Sequence, residues 1–186
     1  MNAAYIDESM RRRPNDDSVY AMAAALIDPA NKNDIHEALS ALRLGNRRRL
    51  HWRDESSSHR LHIAKTLADL PFTALAVVHV HGRDTRHERA RRLCLERLLH
   101  ELGERKTAEV IIENRPGQDR LDRGLLTGLR RARRVPRSME VRWESPLNEP
   151  LLWAADAFVG ATTWWLDGHP QYFNILAEQI TLICTD

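Results

Sequence analysis

Alternating apolar and polar positions predict two strands at the beginning of the chain. Residues 3–8 alternate with a period of two, which is typical of a strand. The polar segment 11–18 contains a proline and an asparagine and predicts a loop. Residues 19–27 are apolar again and predict a second strand, although their alanines are also compatible with a helix. Two strands joined by one short connection favour an antiparallel pair.

The middle of the chain shows helical spacing first and then a regular alternation of helices and strands. Apolar residues recur every three to four positions over 34–44 and the pattern ends at Gly45, which predicts a helix. Residues 49–52 predict a short third strand. The later alternation predicts strands at 72–80, 107–113 and 139–143, and helices at 56–70, 87–103, 119–134 and 149–166.

Together these elements predict a single α/β domain over residues 1–186. Its sheet is expected to be mixed: the first three strands are antiparallel, the later strands form parallel βα units, and helices flank the sheet. The sequence shows no internal repeat and no low-complexity linker, so nothing in it predicts a domain boundary.

The charge distribution changes this picture because the basic and acidic residues are separated along the chain. The formal net charge is only +2, but residues 1–142 carry +8 and residues 143–186 carry −6. Of the 28 basic residues, 25 are arginines. This pattern excludes a uniformly basic, histone-like chain and predicts a basic body with an acidic, apolar end.

Membrane, secretory and disulfide-rich classes are not expected. The most apolar stretch, 150–166, is short for a membrane span and contains Asp156. The first nine residues lack the basic start and apolar core of a signal peptide. Cys94 and Cys184 are far apart and cannot form a disulfide framework. The sequence therefore predicts a cytoplasmic protein without a membrane anchor.

Three carboxylates occupy elements that are otherwise apolar. Asp156 interrupts the apolar helix 151–159, so its side chain must be paired, protonated or bound to a cation. A helix cap or an arginine partner is the structural alternative. Asp7 lies in the first strand and Glu113 ends a strand that is apolar on both faces, although strand ends also emerge into solvent. Glu8 should point to the face opposite Asp7.

Clustered carboxylates favour a metal-dependent chemistry. Several of them stay ionised together only if a cation neutralises them, and hard oxygen ligands select Mg²⁺ or Mn²⁺. Two such ions about 4 Å apart stabilise the attacking and leaving oxygens of a phosphodiester displacement. Arginines that could bind the phosphates are Arg115, Arg130, Arg131 and Arg134. A solvated helix face explains these arginines equally well.

Three segments resemble one family. Residues 5–9, with the sequence Tyr-Ile-Asp-Glu-Ser, are similar to the opening motif of the domain-of-unknown-function-3800 family. Residues 50–55 are similar to its short histidine-containing block, and residues 152–161 to its late helix with a central aspartate. The resemblance implies a ribonuclease-H-like fold and a metal-dependent nuclease acting on RNA or DNA, of a kind often linked with phage defence, toxins or mobile elements.

The resemblance also implies roles for individual residues. Asp7 matches the first-strand carboxylate, Glu55 the helix carboxylate and Asp156 the acid of the last helix, while Glu113 stands where the core strand ends in an acid. These four residues are the predicted catalytic and metal-binding set. Glu8 and His51 belong to the motifs without an assigned step. Met10 replaces the motif's glycine, and the usual acidic pair is reduced to Glu113.

Two alternatives remain open at the sequence level. If Glu113 does not reach the metals, the chain would be an inactive, nucleic-acid-binding or interaction protein of a defence or toxin–antitoxin-like system. A homo-oligomer through the C-terminal aromatic residues would suit that role; these are Trp153, Trp164, Trp165, Tyr172 and Phe173. A zinc site at His79 and His81 would make the chain a small-molecule hydrolase, but the sequence offers no third ligand at a typical spacing.

Overall fold

A six-stranded mixed sheet forms the centre of the protein. The computed structural model describes residues 2–12, 17–82, 86–115, 117 and 119–185. The strands are β1 Ala3–Arg11, β2 Ser18–Ile27, β3 Thr73–His81, β4 Glu109–Glu113, β5 Glu140–Glu144 and β6 Ile180–Thr185. Their spatial order is β5-β4-β1-β2-β3-β6. β1, β2 and β3 are antiparallel neighbours, whereas β4, β5 and β6 join the sheet in parallel. The predicted fold class is confirmed.

Helices cover both faces of this sheet. They are α1 Lys32–Ala41, α2 Ser57–Ala68, α3 His87–Glu104, α4 Asp119–Arg131, α5 Leu152–Leu166 and α6 Gln171–Leu176. Helix α2 begins where predicted, because the Ser56 hydroxyl accepts a hydrogen bond from the His59 N–H. None of the helices in the described ranges is long and apolar enough to cross a membrane.

Two hydrophobic layers sandwich the sheet, and β1 contributes alternate residues to each. Ala3 and Tyr5 pack in the layer beneath α5, whereas Ala4 and Ile6 pack in the layer beneath α3. We call these two sides the α5 face and the α3 face. Strand β2 is buried along its whole length. Its alanines form a strand rather than the alternative helix because small side chains let both layers approach a central strand.

The third antiparallel strand is not the one that the sequence predicted. Residues 49–51 are not in a strand, and a 3₁₀ helix, Trp52–Asp54, follows them; β3 takes the third position instead. The backbone of this segment bonds to side chains instead of a neighbouring strand: Trp52 donates to Asp156, and Arg60 donates to the carbonyls of Trp52 and Arg53. The apolar side chains that suggested a strand are buried in the core, although the segment that carries them is not a strand.

Two other differences concern the ends of elements. β6 was not predicted; it is an edge strand of six residues whose side chains are only partly buried, so it lacks a strong alternating pattern. The last long helix begins at Leu152 rather than at residue 149, and residues 150–151 form a turn before it. Part of the predicted loop at 11–18 lies outside the described residues, since these omit 13–16.

Candidate functional site

The parallel register of β1 and β4 brings two carboxylates side by side. Ile6 is paired with Ile112 at the end of the register, so the next residues, Asp7 and Glu113, are neighbours across the two strands. Tyr5 and Ile111 both belong to the layer beneath α5. Because side chains alternate along a strand, Asp7 and Glu113 point toward α5 as well.

Helix α5 supplies the third carboxylate. Asp156 is the one partly exposed residue in the stretch 152–163, all other members of which are buried. Its Oδ2 atom accepts a hydrogen bond of 2.7 Å from the backbone N–H of Trp52. This contact depends on Gly160, one turn further along α5, since a Cβ atom there would lie 2.2 Å from Cδ1 of Trp52. Glycine at this position therefore allows the 3₁₀ helix to pack against α5.

The three carboxylates line one cleft of about 200 Å³ at the carboxyl end of β4, beside the middle of β1. Its lining residues are Asp7, Glu8, His51, Glu113, Arg115 and Asp156. A second groove of about 140 Å³ continues from it and shares Glu8, His51 and Asp156 with it. The groove also includes Met10, Arg11 and Arg53. A concave surface thus runs from the carboxylates toward two arginines.

Burial and mutual repulsion disfavour the charged forms of two of these carboxyl groups. Desolvation raises the pKa of Asp7 well above its usual value, and the nearby carboxylates of Asp156 and Glu113 raise it further. Desolvation also raises the pKa of Asp156 to about 6, although His51 and the Trp52 N–H partly offset it. The carboxylates on the α5 face of the cleft thus outnumber the one arginine among the described residues that contacts them, Arg49.

The donor set fits a divalent cation in chemistry but is not arranged around one. Carboxylate oxygens are the ligands that Mg²⁺ and Mn²⁺ prefer, and a cation would relieve the repulsion between Asp7 and Asp156. Within the described ranges, however, no three His, Cys, Asp or Glu side chains are grouped closely enough to hold an ion. Arg49 contacts Glu113 at 3.6 Å, so one of the three carboxylates has an arginine partner.

Glu8 lines the same cleft but belongs to the α3 face. Its carboxylate pairs with Arg91 of α3 and lies 3.8 Å from Nε of Arg115. Arg91 is 1% exposed and also forms two hydrogen bonds, of 2.6 and 3.1 Å, with the buried carboxylate of Asp122 in α4. Arg115 lies 3.5 Å from Asp122 and from Glu88. On this side of the sheet, arginines neutralise the acids.

Glu55 is the predicted carboxylate that the structure does not bring to the cleft. It is 6% exposed, and its two oxygens are bonded to Arg47 and His59 at 2.8 and 2.7 Å. It follows the 3₁₀ helix that carries Trp52, but the side chain is not among those that line the cleft. These contacts give Glu55 a role in fixing the loop before α2.

The predicted phosphate-binding arginines fall into two places. Arg115 lines the cleft. Arg130 and Arg131 lie in the last turn of α4, where Arg130 donates to the carbonyl oxygen of Met139, and Arg134 pairs with Glu96 of α3. Because an α-helix rises about 1.5 Å per residue, Arg130 and Arg131 are roughly 17 to 18 Å along α4 from Asp119 at its start. They do not line the carboxylate cleft.

The histidines proposed as zinc ligands are engaged elsewhere. Nδ1 of His79 is 2.9 Å from the hydroxyl of Thr185, and Nδ1 of His81 is 3.0 Å from the carbonyl oxygen of Gly82. The rings of His81 and His87 are in edge contact at 6.0 Å. No metal-binding group of three includes them in the part of the chain that the structure describes.

The C-terminal aromatic residues are only partly available as a surface. Trp153 and Tyr172 are buried in the core, which removes them from the predicted oligomer face. Trp164, Trp165 and Phe173 are partly exposed, and the rings of Trp165 and Phe173 stack at 4.7 Å. An oligomer through these three residues stays a prediction.

Sequence reasoning did not assign Glu8, His51, Arg49 or Arg91 to this site. Glu8 and His51 lie in the motifs quoted above, and their position beside Asp7 and Trp52 was the available signal. Nothing in the sequence distinguishes Arg91 from the other arginines of α3, because its role depends on contacts with residues 31 and 83 positions away.

The chain is similar in fold to solved ribonuclease structures. Ribonuclease H2 from Pyrococcus horikoshii OT3 superposes with a TM-score of 0.61 at 13% identity, over 97% of this chain and 81% of that chain. The chain has a ribonuclease-H-like fold. RNase HII of Archaeoglobus fulgidus, in a complex with PCNA, superposes with a TM-score of 0.53 at 14% identity, over 96% of this chain and 88% of that chain. Bst-RNase HIII in complex with Mn²⁺ superposes with a TM-score of 0.56 at 15% identity, over 95% of this chain and 56% of that chain.

The similarity at this level of identity is one of fold. The sequence matches no protein family and no curated protein. The ribonuclease-H-like fold that the resemblance implied is therefore confirmed, whereas membership of the domain-of-unknown-function-3800 family stays a prediction.

Proposed function

We propose that the chain is a divalent-metal-dependent nuclease that hydrolyses phosphodiester bonds of RNA or DNA at the carboxylate cleft. The observation that carries the proposal is the convergence of Asp7, Glu113 and Asp156, from β1, β4 and α5, on a single cleft. Burial raises the pKa of Asp7 and of Asp156, and repulsion from neighbouring carboxylates raises both further. The fold shared with ribonuclease H2 supports the same chemistry.

The three carboxylates would hold the metal, Mg²⁺ or Mn²⁺, and each is positioned by a different element. When bound, such an ion lowers the pKa of its water and stabilises the charge that develops on phosphate oxygens. Asp7 is positioned by β1 and receives the N–H of Glu8 at 2.7 Å. Asp156 is positioned by the Trp52 N–H. Glu113 joins them once its contact with Arg49 opens.

The residues around the carboxylates would bind substrate and carry protons. His51 lines the cleft and its Nδ1 atom is 2.9 Å from Asp54, so a carboxylate orients the imidazole as a proton carrier. Arg115, Arg11 and Arg53 line the cleft and the adjoining groove. Guanidinium groups suit the phosphates on either side of a scissile bond. The substrate backbone would thus follow the groove past Met10.

The proposal is tested by cleavage of labelled RNA, DNA and hybrid substrates in Mn²⁺ and Mg²⁺. Asp7→Asn and Asp156→Asn keep the shape of each side chain and remove its charge. We expect each to lower the cleavage rate at least about a thousandfold, or about 4 kcal/mol of transition-state stabilisation. Glu55→Gln is the matched control, and its rate should stay within about threefold of the parent. Cleavage that survives both aspartate substitutions would overturn the proposal.

A second candidate function is nucleic-acid binding without catalysis. The contact between Arg49 and Glu113 favours it because it engages one of the cleft carboxylates, and the exposed Met10 at the motif's glycine position favours it because it occupies the adjoining groove. A protein of this kind would bind the same substrates with equal affinity in EDTA and in Mn²⁺, and would cleave none of them. Metal-dependent cleavage excludes this candidate.

A further inference from the structure

Helices α3 and α4 enclose a groove, which we call the α3–α4 groove. Its volume is about 510 Å³, compared with about 200 Å³ for the carboxylate cleft. Much of its lining comes from α4 and is apolar or small: Leu121, Gly124, Leu125, Gly128 and Ala132. Leu121 is 55% exposed. An exposed apolar groove of this size is typical of a surface to which another molecule binds.

The open side of α4 has the shape that a partner helix needs. Gly124 and Gly128 are four residues apart and therefore lie on one side of the helix. A Cβ atom at either position would meet nothing within 4 Å, so no described residue covers this side of α4 there. The thirteen residues of α4 rise about 20 Å, the length of a helix of between three and four turns. Two helices can approach closely where glycines replace side chains.

The charge around the α3–α4 groove is positive. Residues 119–134 contain six arginines and two aspartates, a net charge of +4. Arg92 of α3 lines the groove and is exposed. The acids that line the groove are already paired with arginines. These pairs are Glu88–Arg115, Glu96–Arg134 and Asp122–Arg91. A basic rim complements an acidic partner, whereas a second copy of this chain would bring another segment of +4 against the first.

We propose that the α3–α4 groove binds an acidic amphipathic helix of another protein. The apolar side of that helix would pack on Leu121 and Leu125, and its carboxylates would pair with Arg92 and the arginines of residues 119–134. Phosphates of a nucleic acid would pair with the arginines but would leave the apolar lining exposed. The inference goes beyond the proposed function and needs neither metal nor cleavage, so either can fail without the other.

The test measures the binding of a peptide to the full chain in EDTA by fluorescence anisotropy. The probe is a labelled synthetic helix of about fourteen residues, with leucines at i, i+3 and i+7 and glutamates on the opposite side. We expect a dissociation constant below about 100 µM. A peptide of the same composition in scrambled order, and one with lysines in place of the glutamates, should each bind at least about tenfold more weakly.

Two leucine substitutions locate the binding site. Gly128→Leu fills the middle of the groove and should weaken peptide binding at least about tenfold. The variant should fold, because its side chain extends into open space and leucine favours a helix more than glycine does. Thr127→Leu is the matched control: Thr127 is exposed on the same helix and does not line the groove, so affinity should stay within about twofold. Circular dichroism checks that both variants are folded.

Each contrary result would overturn the inference and leave the nuclease proposal intact. These results are a probe that does not bind below about 1 mM, equal binding of the scrambled or the lysine peptide, and full binding to Gly128→Leu. Displacement of the probe by a nucleic-acid duplex would assign the groove to nucleic acid instead. A doubled mass of the parent in sedimentation, lost in Gly128→Leu, would assign it to a second copy of this chain.

Discussion

Asp7 and Glu8 are consecutive residues of β1, yet their carboxylates lie in different electrostatic surroundings. Asp7 faces α5, where neighbouring acids and burial raise its pKa. Glu8 faces α3, where Arg91 and Arg115 neutralise it. The comparison shows how one strand supplies two kinds of acid: the α3 face stabilises the fold through paired charges, whereas the α5 face keeps a deficit of positive charge that a ligand can fill.

The largest expected effect comes from removing the cation of the α3 face. Arg91→Met leaves the buried carboxylate of Asp122 and the carboxylate of Glu8 without their guanidinium partner, which should lower the free energy of unfolding by about 3 to 5 kcal/mol. Arg49→Met is the matched substitution on the α5 face and should cost less than about 1 kcal/mol, since its contact with Glu113 is exposed. Urea unfolding measures both. Equal losses would mean that the two faces do not differ.

Removing an acid of the α5 face should raise the free energy of unfolding, whereas Arg91→Met lowers it. The pKa of Asp156 is raised from 3.8 to about 6 in the folded chain, so the folded state binds a proton more tightly than the unfolded state. Its contribution therefore lowers the free energy of unfolding as the pH rises from about 4 to about 6, and the cost persists above that range. Without divalent ions, Asp156→Asn should stabilise the chain by about 1 to 3 kcal/mol at pH 7 and by almost nothing at pH 4.

The control for this pH dependence is Glu55→Gln. Glu55 is an acid with two partners, Arg47 and His59, so its loss should destabilise the chain at pH 7. If Asp156→Asn also destabilises at pH 7, the α5 face does not carry the deficit of positive charge that we describe.

An intermediate effect is expected where α5 meets the 3₁₀ helix. The methyl group of Gly160→Ala would overlap the indole of Trp52, so the loop must move and the Trp52 N–H is pulled away from Asp156. We expect a loss of about 1 to 3 kcal/mol in unfolding free energy and a change in tryptophan fluorescence. Gly124→Ala in α4, where a Cβ atom meets nothing within 4 Å, is the control and should be neutral or stabilising. Equal effects at both glycines would mean that the contact of Gly160 with Trp52 does not limit the side chain at position 160.

The smallest effect concerns the arginines beside the substrate path. Arg53→Ala removes a side chain that lines the groove next to Asp156, so the slope of log affinity for nucleic acid against log salt concentration should fall by about one. Arg131→Ala lies in the last turn of α4, away from this groove, and should leave the slope unchanged. Fluorescence anisotropy at several salt concentrations measures both slopes. A lower slope for Arg131→Ala with an unchanged slope for Arg53→Ala would indicate that the nucleic-acid backbone follows α4, as the sequence alone suggested.

The sequence predicts the sheet well where apolar runs are long. The predictions of β4 and α5 depend only on the local pattern of apolar residues. Both elements form within a few residues of the predicted ends. The strand predicted at residues 49–52 does not form because the Trp52 backbone bonds to side chains, those of Asp156, distant in sequence, and of Arg60 in α2. An edge strand such as β6 has too little buried surface to leave a clear pattern.

For the site, the sequence identifies acids that stand in apolar elements but not their partners. Asp7 and Asp156 were conspicuous because an unpaired charge in a core is costly. Glu55 is also acidic and ends the histidine-containing block, but the side chains of Arg47 and His59 bond to both its oxygens. Whether a given acid is neutralised depends on tertiary contacts, and Glu8 differs from Asp7 only through such contacts.

Anomalous diffraction from a crystal soaked in Mn²⁺ would locate the metal that we propose for the α5 face of the cleft. We expect an anomalous peak within about 2.5 Å of oxygens from Asp7, Glu113 and Asp156, with Glu8 still bonded to Arg91. A peak at Glu8, a peak at His79 and His81, or no peak in the cleft at saturating Mn²⁺ would contradict it.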